Sequence, residues 1–261
     1  MFAYKDGAEP FFYPGGRVGC LLIHGFTGSP YMHRWVGQAL NKQGYTVFAP
    51  RLAGHGMHFT HLRHVRWPEW VADALDGYHV LKAHCDEIVI IGHSMGGMVA
   101  IMLATEVQTP ALVVMACPIT LSAIWRVHLL RPVVRFLNFG DPTGFEARLK
   151  VAQSARGEPP RGRVTYNRTA LAGIVEVNRL AQAARARLPQ INTPLLLVYA
   201  QQDRTAKLHH ADIIQAEVNS ATVEKIILTQ GAHNVMADED HPRVIDGLTA
   251  FLTRQAPPAI G

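Results

Sequence analysis

The sequence predicts an α/β protein whose mostly parallel sheet is covered by helices on both faces. Short apolar runs typical of buried strands alternate along the chain with segments of helical spacing, which is the pattern of parallel βα units. Of the 261 residues, 48% are apolar and 17% are charged, so the chain has enough apolar surface for a sizeable core. A chain of this length is within the range of one large sheet.

The first half of the chain supplies four of the predicted strands, each a short apolar run that ends at a loop signal. These strands are residues 18–23, 45–49, 88–91 and 111–115. Helices are predicted between them at residues 31–43, 68–84 and 95–107. Gly44 suits the end of the first helix and Pro68 the first turn of the second.

The alternation resumes late in the chain, after a long interruption. Strands are predicted at 195–199 and 223–228, and helices at about 211–218 and 241–254. The interruption between Cys117 and Pro194 has a helical, arginine-rich composition and no strand signal. We therefore expect two kinds of unit, a core domain of residues 1–118 and 191–261 and a helical cap inserted at residues 119–190.

Charge and composition argue against several classes of function. The net charge of +5 comes from residues 119–190, where twelve Lys and Arg face four Asp and Glu, and no nucleic-acid-binding motif accompanies it. No apolar run reaches the length of a membrane span, and residues 1–10 lack the features of a signal peptide. We expect a cytoplasmic protein without nucleic-acid partners or stable membrane insertion. The sequence does not indicate an oligomeric state.

Neither the cysteines nor the histidines form a metal-binding pattern. Cys20, Cys85 and Cys117 are widely spaced and an odd number, which favours buried structural thiols. The fourteen histidines are scattered and form no H-E-x-x-H motif. We expect no metal and no cofactor.

A candidate nucleophile lies in the segment 92–96, which reads Gly-His-Ser-Met-Gly and matches G-x-S-x-G. It follows the predicted strand 88–91 and opens the helix that begins near Met95, which is the context of a nucleophile elbow. Such a turn lifts the serine hydroxyl clear of the sheet, and only glycine leaves room for its closely packed neighbours. Ser94 is therefore the predicted nucleophile.

A serine hydroxyl needs a base to remove its proton, and the base needs an acid to orient it. Asp203 and His233 each follow a later predicted strand, in the order serine, acid, histidine that this architecture requires. Asp212 is the rival acid, but it falls inside a predicted helix. Asp238 and Asp240 follow the histidine and fit only as surface groups.

Attack on a carbonyl also creates an oxyanion, which two preorganised N–H groups must stabilise. The backbone N–H of Met95, at a helix N-terminus, is the first predicted donor. The second is the N–H of Phe26, in the glycine-rich loop after the first predicted strand, and its ring would also line an acyl pocket. His24, His55 and His93 are expected to brace loops rather than to carry protons. His58, His61 and His64 are expected to be solvated loop residues.

These motifs resemble the bacterial carboxylesterase and monoacylglycerol lipase branch of the α/β-hydrolase family. The likeness is carried by Leu22–Gly28, Gly44–Val47, Pro50–Leu52, Gly54–Gly56, Trp70 and the elbow. It implies an α/β-hydrolase fold and hydrolysis of short- to medium-chain acyl esters through an acyl-enzyme, with a small-molecule ester as partner and no cofactor. It also places Asn167, where relatives carry an acidic residue, near the alcohol half of the substrate.

Two alternatives remain open from the sequence. The same triad could serve a C–C hydrolase, an amidase or an acyltransferase, and a hydrolase-fold receptor could bind a ligand with little turnover. In the expected cap, the apolar residues recur at helical spacing, and we expect them to pack as lid core or to wall a tunnel above Ser94. Leu130 is the residue of this face chosen to test the tunnel; the full set is Trp125, Leu129, Leu130, Val133, Val134 and Leu137.

Overall fold

The computed structural model describes residues 4–121, 140, 144–236 and 241–258, and the backbone of residues 136–138. Its main sheet has seven strands in the order β1-β3-β2-β4-β5-β8-β9. Every pair in it is parallel except β1 with β3. The strands are β1 (Phe11–Tyr13), β2 (Val18–Ile23), β3 (Thr46–Ala49), β4 (Glu87–His93), β5 (Leu112–Met115), β8 (Leu195–Ala200) and β9 (Val223–Leu228). The predicted fold class is confirmed.

The central strands are apolar along their whole length because helices cover both faces of the sheet. Every residue of β2, β5 and β8 is buried, as is every residue of β4 after Glu87. The predicted strands all form, within two residues of their expected ends. The edge strand β1 escaped prediction because three half-exposed residues give too short a pattern to read.

The helices that cover the sheet begin and end close to the predicted positions. They are α1 (Arg34–Lys42), α2 (Trp67–Lys82), α3 (Met95–Ala104), α6 (His209–Glu217) and α7 (His241–Gln255). The first α-helix is predicted to start at Tyr31, but Pro30–His33 form a separate 3-10 turn. Gly44 follows α1 with a φ of 97°, a conformation that glycine adopts without strain.

The strands β5 and β8 are neighbours in the sheet, although a long segment separates them along the chain. We call residues 119–190 the insertion. Its described elements are β6 (Phe136–Asn138), α4 (Phe145–Ala155), β7 (Arg168–Ala170) and α5 (Leu171–Arg187). The expectation that it lacks strands is wrong, because β6 and β7 pair as an antiparallel ribbon. Three-residue strands that pair only with each other leave no readable periodicity in the sequence.

The last helix of the insertion packs on the sheet domain. Helix α5 contacts α3 and α2, and its Leu180, Ala181 and Ala184 join the main core cluster. Residues 122–135 lie outside the described part of the chain, and so does the side chain of Leu137. The expected apolar cap face, including Leu130, therefore stays a prediction.

The three cysteines are free and buried, as the sequence indicated. A Cβ atom added at Gly97 of α3 would lie 2.9 Å from Cys117 Cβ, so this thiol is packed directly against the helix that follows Ser94. Among the described helices, none has both the length and the apolar composition needed to cross a bilayer.

Candidate active site

The turn between β4 and α3 holds Ser94 in a strained conformation. Its φ of 56° and ψ of −119° lie in a region that non-glycine residues rarely occupy. A Cβ at Gly92 would lie 2.1 Å from the Gly96 carbonyl oxygen, and one at Gly96 would lie 2.1 Å from that of Ile23. Both glycines are therefore required for the helix to approach the sheet so closely. The predicted strand–turn–helix is present, with the strain and close packing expected of it.

The structure brings Ser94, His233 and Asp203 into one hydrogen-bonded line. The His233 Nε2 atom is 2.9 Å from Ser94 Oγ, and its Nδ1 atom is 2.8 Å from Asp203 Oδ2. His233 reaches the serine from the loop after β9, and Asp203 from the loop after β8. The side chain of Asp203 is fully buried, that of His233 is 26% exposed and Ser94 is 9% exposed, so the line begins in the protein interior and ends at a serine that is itself largely enclosed.

The second oxygen of Asp203 is also satisfied, which fixes the carboxylate. Its Oδ1 accepts hydrogen bonds from the backbone N–H groups of Thr205 (2.7 Å) and Ala206 (2.9 Å). Burial by itself raises the pKa of Asp203, but His233 and these two N–H groups outweigh it, and the net pKa lies below the ordinary value. Asp203 is thus held as an anion that accepts from His233. Sequence reasoning missed this turn, although an aspartate directly after a strand often accepts from the backbone N–H two residues on, as in an Asx-turn.

The rival acids do not take this position. Asp212 lies in α6, is mostly exposed and forms an ion pair with Lys225 at 2.8 Å. Asp238 and Asp240 lie outside the described residues. Of the described candidates, Asp203 is the one that contacts His233.

The two predicted oxyanion donors lie on either side of Ser94. Met95 is the first residue of α3, where a backbone N–H has no partner within the helix and the helix dipole favours negative charge. The loop after β2 runs directly beside the serine, because a Cβ at Gly25 would lie 3.1 Å from Ser94 Cβ. Phe26 follows Gly25 in this loop. Within the described residues, neither the Phe26 nor the Met95 N–H is used in a hydrogen bond.

The ring of Phe26 packs inward from the loop and is half-buried. Its centroid lies 5.9 Å from that of His55 and 6.0 Å from that of Trp70, both in edge-on arrangements. A Cβ at Gly173 of α5 would lie 2.9 Å from Phe26 Cζ. The ring is therefore wedged between the sheet domain and the insertion, and its expected part in an acyl pocket stays a prediction.

Three buried histidines brace the surrounding loops, as the sequence indicated. His24 Nε2 accepts from the Leu52 N–H, and His55 Nδ1 donates to the Ala53 carbonyl. His93 Nε2 donates to the carbonyl of His233 at 2.8 Å, which ties the elbow to the loop of the candidate base. Burial lowers the pKa of His24 to about 4 and that of His93 to about 3, and it lowers that of His55 well below the ordinary value.

A fourth buried histidine, His33, was not singled out in the sequence. It is fully buried at the end of the 3-10 turn, and burial together with His93 and His24 lowers its pKa well below the ordinary value. Nothing in its local sequence distinguishes it from a surface histidine. His58 and His64 are exposed, and His61 is half-buried in a 3-10 helix, Phe59–Arg63. The described residues contain no group of three or more His, Cys, Asp or Glu side chains that could hold a metal ion.

Of the two residues predicted to bind substrate, one lies within the described part of the chain. Asn167 is exposed in the bend that precedes β7, and its expected contact with a substrate alcohol stays a prediction. Leu130 lies outside the described residues.

Comparison with known proteins places the chain among relatives of this architecture. A family model described as the alpha/beta hydrolase family matches residues 20–246. The chain belongs to this family. It is 31% identical to a thermostable monoacylglycerol lipase of Bacillus sp. (strain H-257), covering 98% of each chain. It is 26% identical to a carboxylesterase of Bacillus subtilis (strain 168), covering 94% of this chain and 96% of that one.

A solved structure from work on the metagenome-derived lipolytic enzymes LipS and LipT has the same fold. It superposes with a TM-score of 0.85 at 24% identity and covers 97% of this chain and all of the other. The predicted resemblance to lipases and esterases of this family is confirmed.

Proposed function

We propose that this alpha/beta hydrolase is a serine carboxylic ester hydrolase in which Ser94, His233 and Asp203 form the catalytic triad. The observation that carries the proposal is the continuous hydrogen-bonded line from a buried carboxylate through an imidazole to the Ser94 hydroxyl. The names of the two Bacillus relatives, a monoacylglycerol lipase and a carboxylesterase, support an ester bond as the target.

In the proposed reaction, Ser94 Oγ attacks the ester carbonyl carbon while His233 Nε2 takes the hydroxyl proton. The carbonyl oxygen becomes an oxyanion, stabilised by the N–H groups of Phe26 and Met95. Collapse of this intermediate breaks the bond to the alcohol oxygen, which receives the proton from His233. Water then attacks the acyl-Ser94 carbonyl, again giving a proton to His233, and the second collapse releases the carboxylic acid and returns the proton to Ser94 Oγ.

Asp203 acts through His233 in this scheme. As a buried anion with both oxygens hydrogen-bonded, it fixes the Nδ1–H tautomer and stabilises the imidazolium that each proton transfer creates. The carboxylate stays deprotonated throughout the reaction, in agreement with its lowered pKa.

We further propose that the insertion works as a cap over Ser94, anchored on the sheet domain by α5, and that the substrates are monoesters with short- to medium-chain acyl groups. The apolar residues predicted in the cap, Leu130 among them, would bury the acyl chain, and Asn167 would face the alcohol half. Each buried methylene contributes about 0.8 kcal/mol, so kcat/KM should rise with chain length until the tunnel is full.

The triad is tested with p-nitrophenyl esters from acetate to palmitate and with a fluorophosphonate label. Ser94→Ala should lose both the label and at least about 1,000-fold in kcat/KM, while Ser154→Ala, at an exposed serine of α4, should keep both. Retention of labelling in Ser94→Ala would overturn the nucleophile. Labelling of Ser94 without turnover of any simple ester would support Ser94 as the nucleophile and contradict an ester as the substrate. A flat chain-length profile would overturn the role of the cap.

A further inference from the structure

The loop that carries Phe26 contains a second strained residue, Thr27. Its φ is 61°, and among the described residues only Ser94 and Ala116 share a positive φ without being glycine. For a β-branched side chain this conformation is a true outlier, and it persists only where the surroundings enforce it. Thr27 follows Phe26 directly, so its relaxation would turn the peptide that joins the two residues and, through Phe26, shift the neighbouring peptide plane that holds the Phe26 N–H.

The contacts that enforce this conformation come from the insertion. The Thr27 carbonyl oxygen accepts two hydrogen bonds, from the Tyr166 backbone N–H at 2.9 Å and from Thr165 Oγ1 at 2.7 Å. Two residues further along the loop, Ser29 Oγ donates to the Val164 carbonyl at 2.7 Å. We call residues 164–166 the strap.

The strap is itself fixed, so it can hold a strained neighbour. The Tyr166 hydroxyl donates to the Gly54 carbonyl at 3.0 Å and accepts from the Met57 N–H at 2.8 Å. Tyr166 is only 4% exposed. The strap therefore joins the Phe26 loop to the loop after β3, and the two loops cannot shift independently without breaking these bonds.

The ring of Phe26 provides a separate link to the insertion. Gly173 of α5 leaves a gap that the ring fills, and a Cβ at that position would lie 2.9 Å from Cζ and 3.2 Å from Cε2 of the ring. Gly173 and the strap thus restrain the two residues Phe26 and Thr27 from different directions.

We propose that the insertion sets the position of the Phe26 N–H in the oxyanion hole, and that Thr165 is a positioning residue for catalysis. The inference rests on the proposed function, because it needs the Phe26 N–H to face the oxyanion. Thr165 does not touch the reacting atoms in this proposal. It holds Thr27 at positive φ, and Thr27 aims the preceding N–H at the oxygen that gains charge in the transition state.

The test compares three threonine variants of the full-length chain. Thr165→Val removes the hydrogen bond to Thr27 and keeps the shape, and Thr165→Ser keeps the hydroxyl. Thr169→Val is the matched control, because the Thr169 hydroxyl is buried without a hydrogen-bond partner in the described structure. Thr165→Val should lower kcat about tenfold with little change in KM, Thr165→Ser should restore most of it, and Thr169→Val should match the parent.

A trifluoromethyl ketone separates positioning from general structural damage. Ser94 Oγ adds to its carbonyl, the proton passes to His233, and the resulting oxyanion occupies the hole. Its inhibition constant should therefore rise in Thr165→Val by the same factor as kcat/KM falls, at an unfolding midpoint like that of Thr169→Val. Equal activity and equal inhibition in the two valine variants would overturn the inference.

Gly173 offers a second arm. The added methyl group of Gly173→Ala would meet the Phe26 ring, so kcat and inhibitor affinity should fall. Alanine usually stabilises a helix relative to glycine, so the unfolding midpoint should be kept. Gly140→Ala is the control, since no atom of the described residues lies within 4 Å of a Cβ there. Full activity in Gly173→Ala would show that the contact of α5 with the Phe26 ring does not affect the oxyanion hole.

Ser94→Ala distinguishes failure of the proposed function from failure of this inference. If Ser94→Ala stays active, the proposed function fails. An inactive Ser94→Ala together with an unaffected Thr165→Val contradicts only the role of Thr165.

Discussion

The elbow and the insertion hold their parts of the candidate site by different means. From Ile88 to Leu103 every residue is buried, and the backbones of β2, β4 and α3 meet at distances that exclude even a Cβ. The described part of the insertion ahead of β7 reaches the sheet domain through two small apolar clusters and through polar links, such as Arg34 with Glu158 and Thr165 with Thr27. Close packing therefore fixes the nucleophile, whereas hydrogen bonds from a distant segment fix the oxyanion loop. Damage to the first region should cost the fold, and damage to the second should cost rate or local stability.

The largest expected effect concerns the acid of the proposed triad. Asp203→Asn should lower kcat by about 10,000-fold because the amide no longer fixes the required imidazole tautomer. Its fold should be kept, since an amide oxygen still accepts from Thr205 and Ala206. Asp212→Asn, which removes an exposed ion pair with Lys225, is the control and should change kcat little. Steady-state kinetics and circular dichroism check both, and the reverse ranking would move the acid to Asp212.

The substitution Gly96→Ala should show that the elbow needs glycine for close packing rather than for backbone flexibility. Gly96→Ala would place a methyl group 2.1 Å from the Ile23 carbonyl oxygen, a clash between backbones that no rotamer relieves. We expect a loss of unfolding free energy of about 4 kcal/mol or failure to fold. The urea midpoint measures it against Gly140→Ala, and equal midpoints would contradict the described packing.

The ion pair of Glu158 with Arg34 joins the insertion to α1, and its contribution to stability should depend on the Glu158 charge. Glu158 accepts from the Trp35 indole at 2.6 Å and pairs with Arg34, whose side chain is only 11% exposed. Glu158→Gln leaves a mostly buried guanidinium without its counter-ion and should lose about 2 kcal/mol of unfolding free energy. Asp86→Asn, which removes the partner of the exposed Arg17, should change the unfolding free energy little. Similar losses of unfolding free energy in the two variants would mean that the Arg34–Glu158 pair contributes no more than an exposed ion pair.

The smallest effect is a change in the pH dependence of stability. The pKa of His33 is lowered well below 6.5 in the folded state, so below that pH the unfolded chain takes up a proton that the native chain cannot. Stability should therefore fall as pH drops from 6.5, and His33→Asn should make the slope between pH 6 and 5 shallower by about 1 kcal/mol per pH unit. Urea titrations at several pH values measure this, with His64→Asn at an exposed position as the control. An unchanged slope in His33→Asn would contradict the described burial.

The same contrast explains what the sequence could predict. Ser94, Asp203 and His233 each follow an apolar strand by a few residues, and local patterns of that kind need no knowledge of distant contacts. The links of the strap have no such signal, because Thr165 and Thr27 are 138 residues apart and Thr165 belongs to no motif. His33 is hidden for the same reason, since burial results from the packed fold and not from its neighbours in the chain. Strands of three residues, such as β1, are too short to show a period.

The rate at which the buried thiols react with a reagent reports how often the folded core opens. Cys20 and Cys117 are fully buried and burial raises the pKa of both, so a thiol reagent reacts with them only in molecules whose core has opened. Cys117 lies against Gly97, one turn after the nucleophile. The rate at which Cys117 is labelled under native conditions thus measures how often the elbow separates from the sheet, without any introduced probe. A covalent inhibitor that bridges Ser94 and the oxyanion loop should slow that labelling, since the bound state has to be lost before the helix can lift.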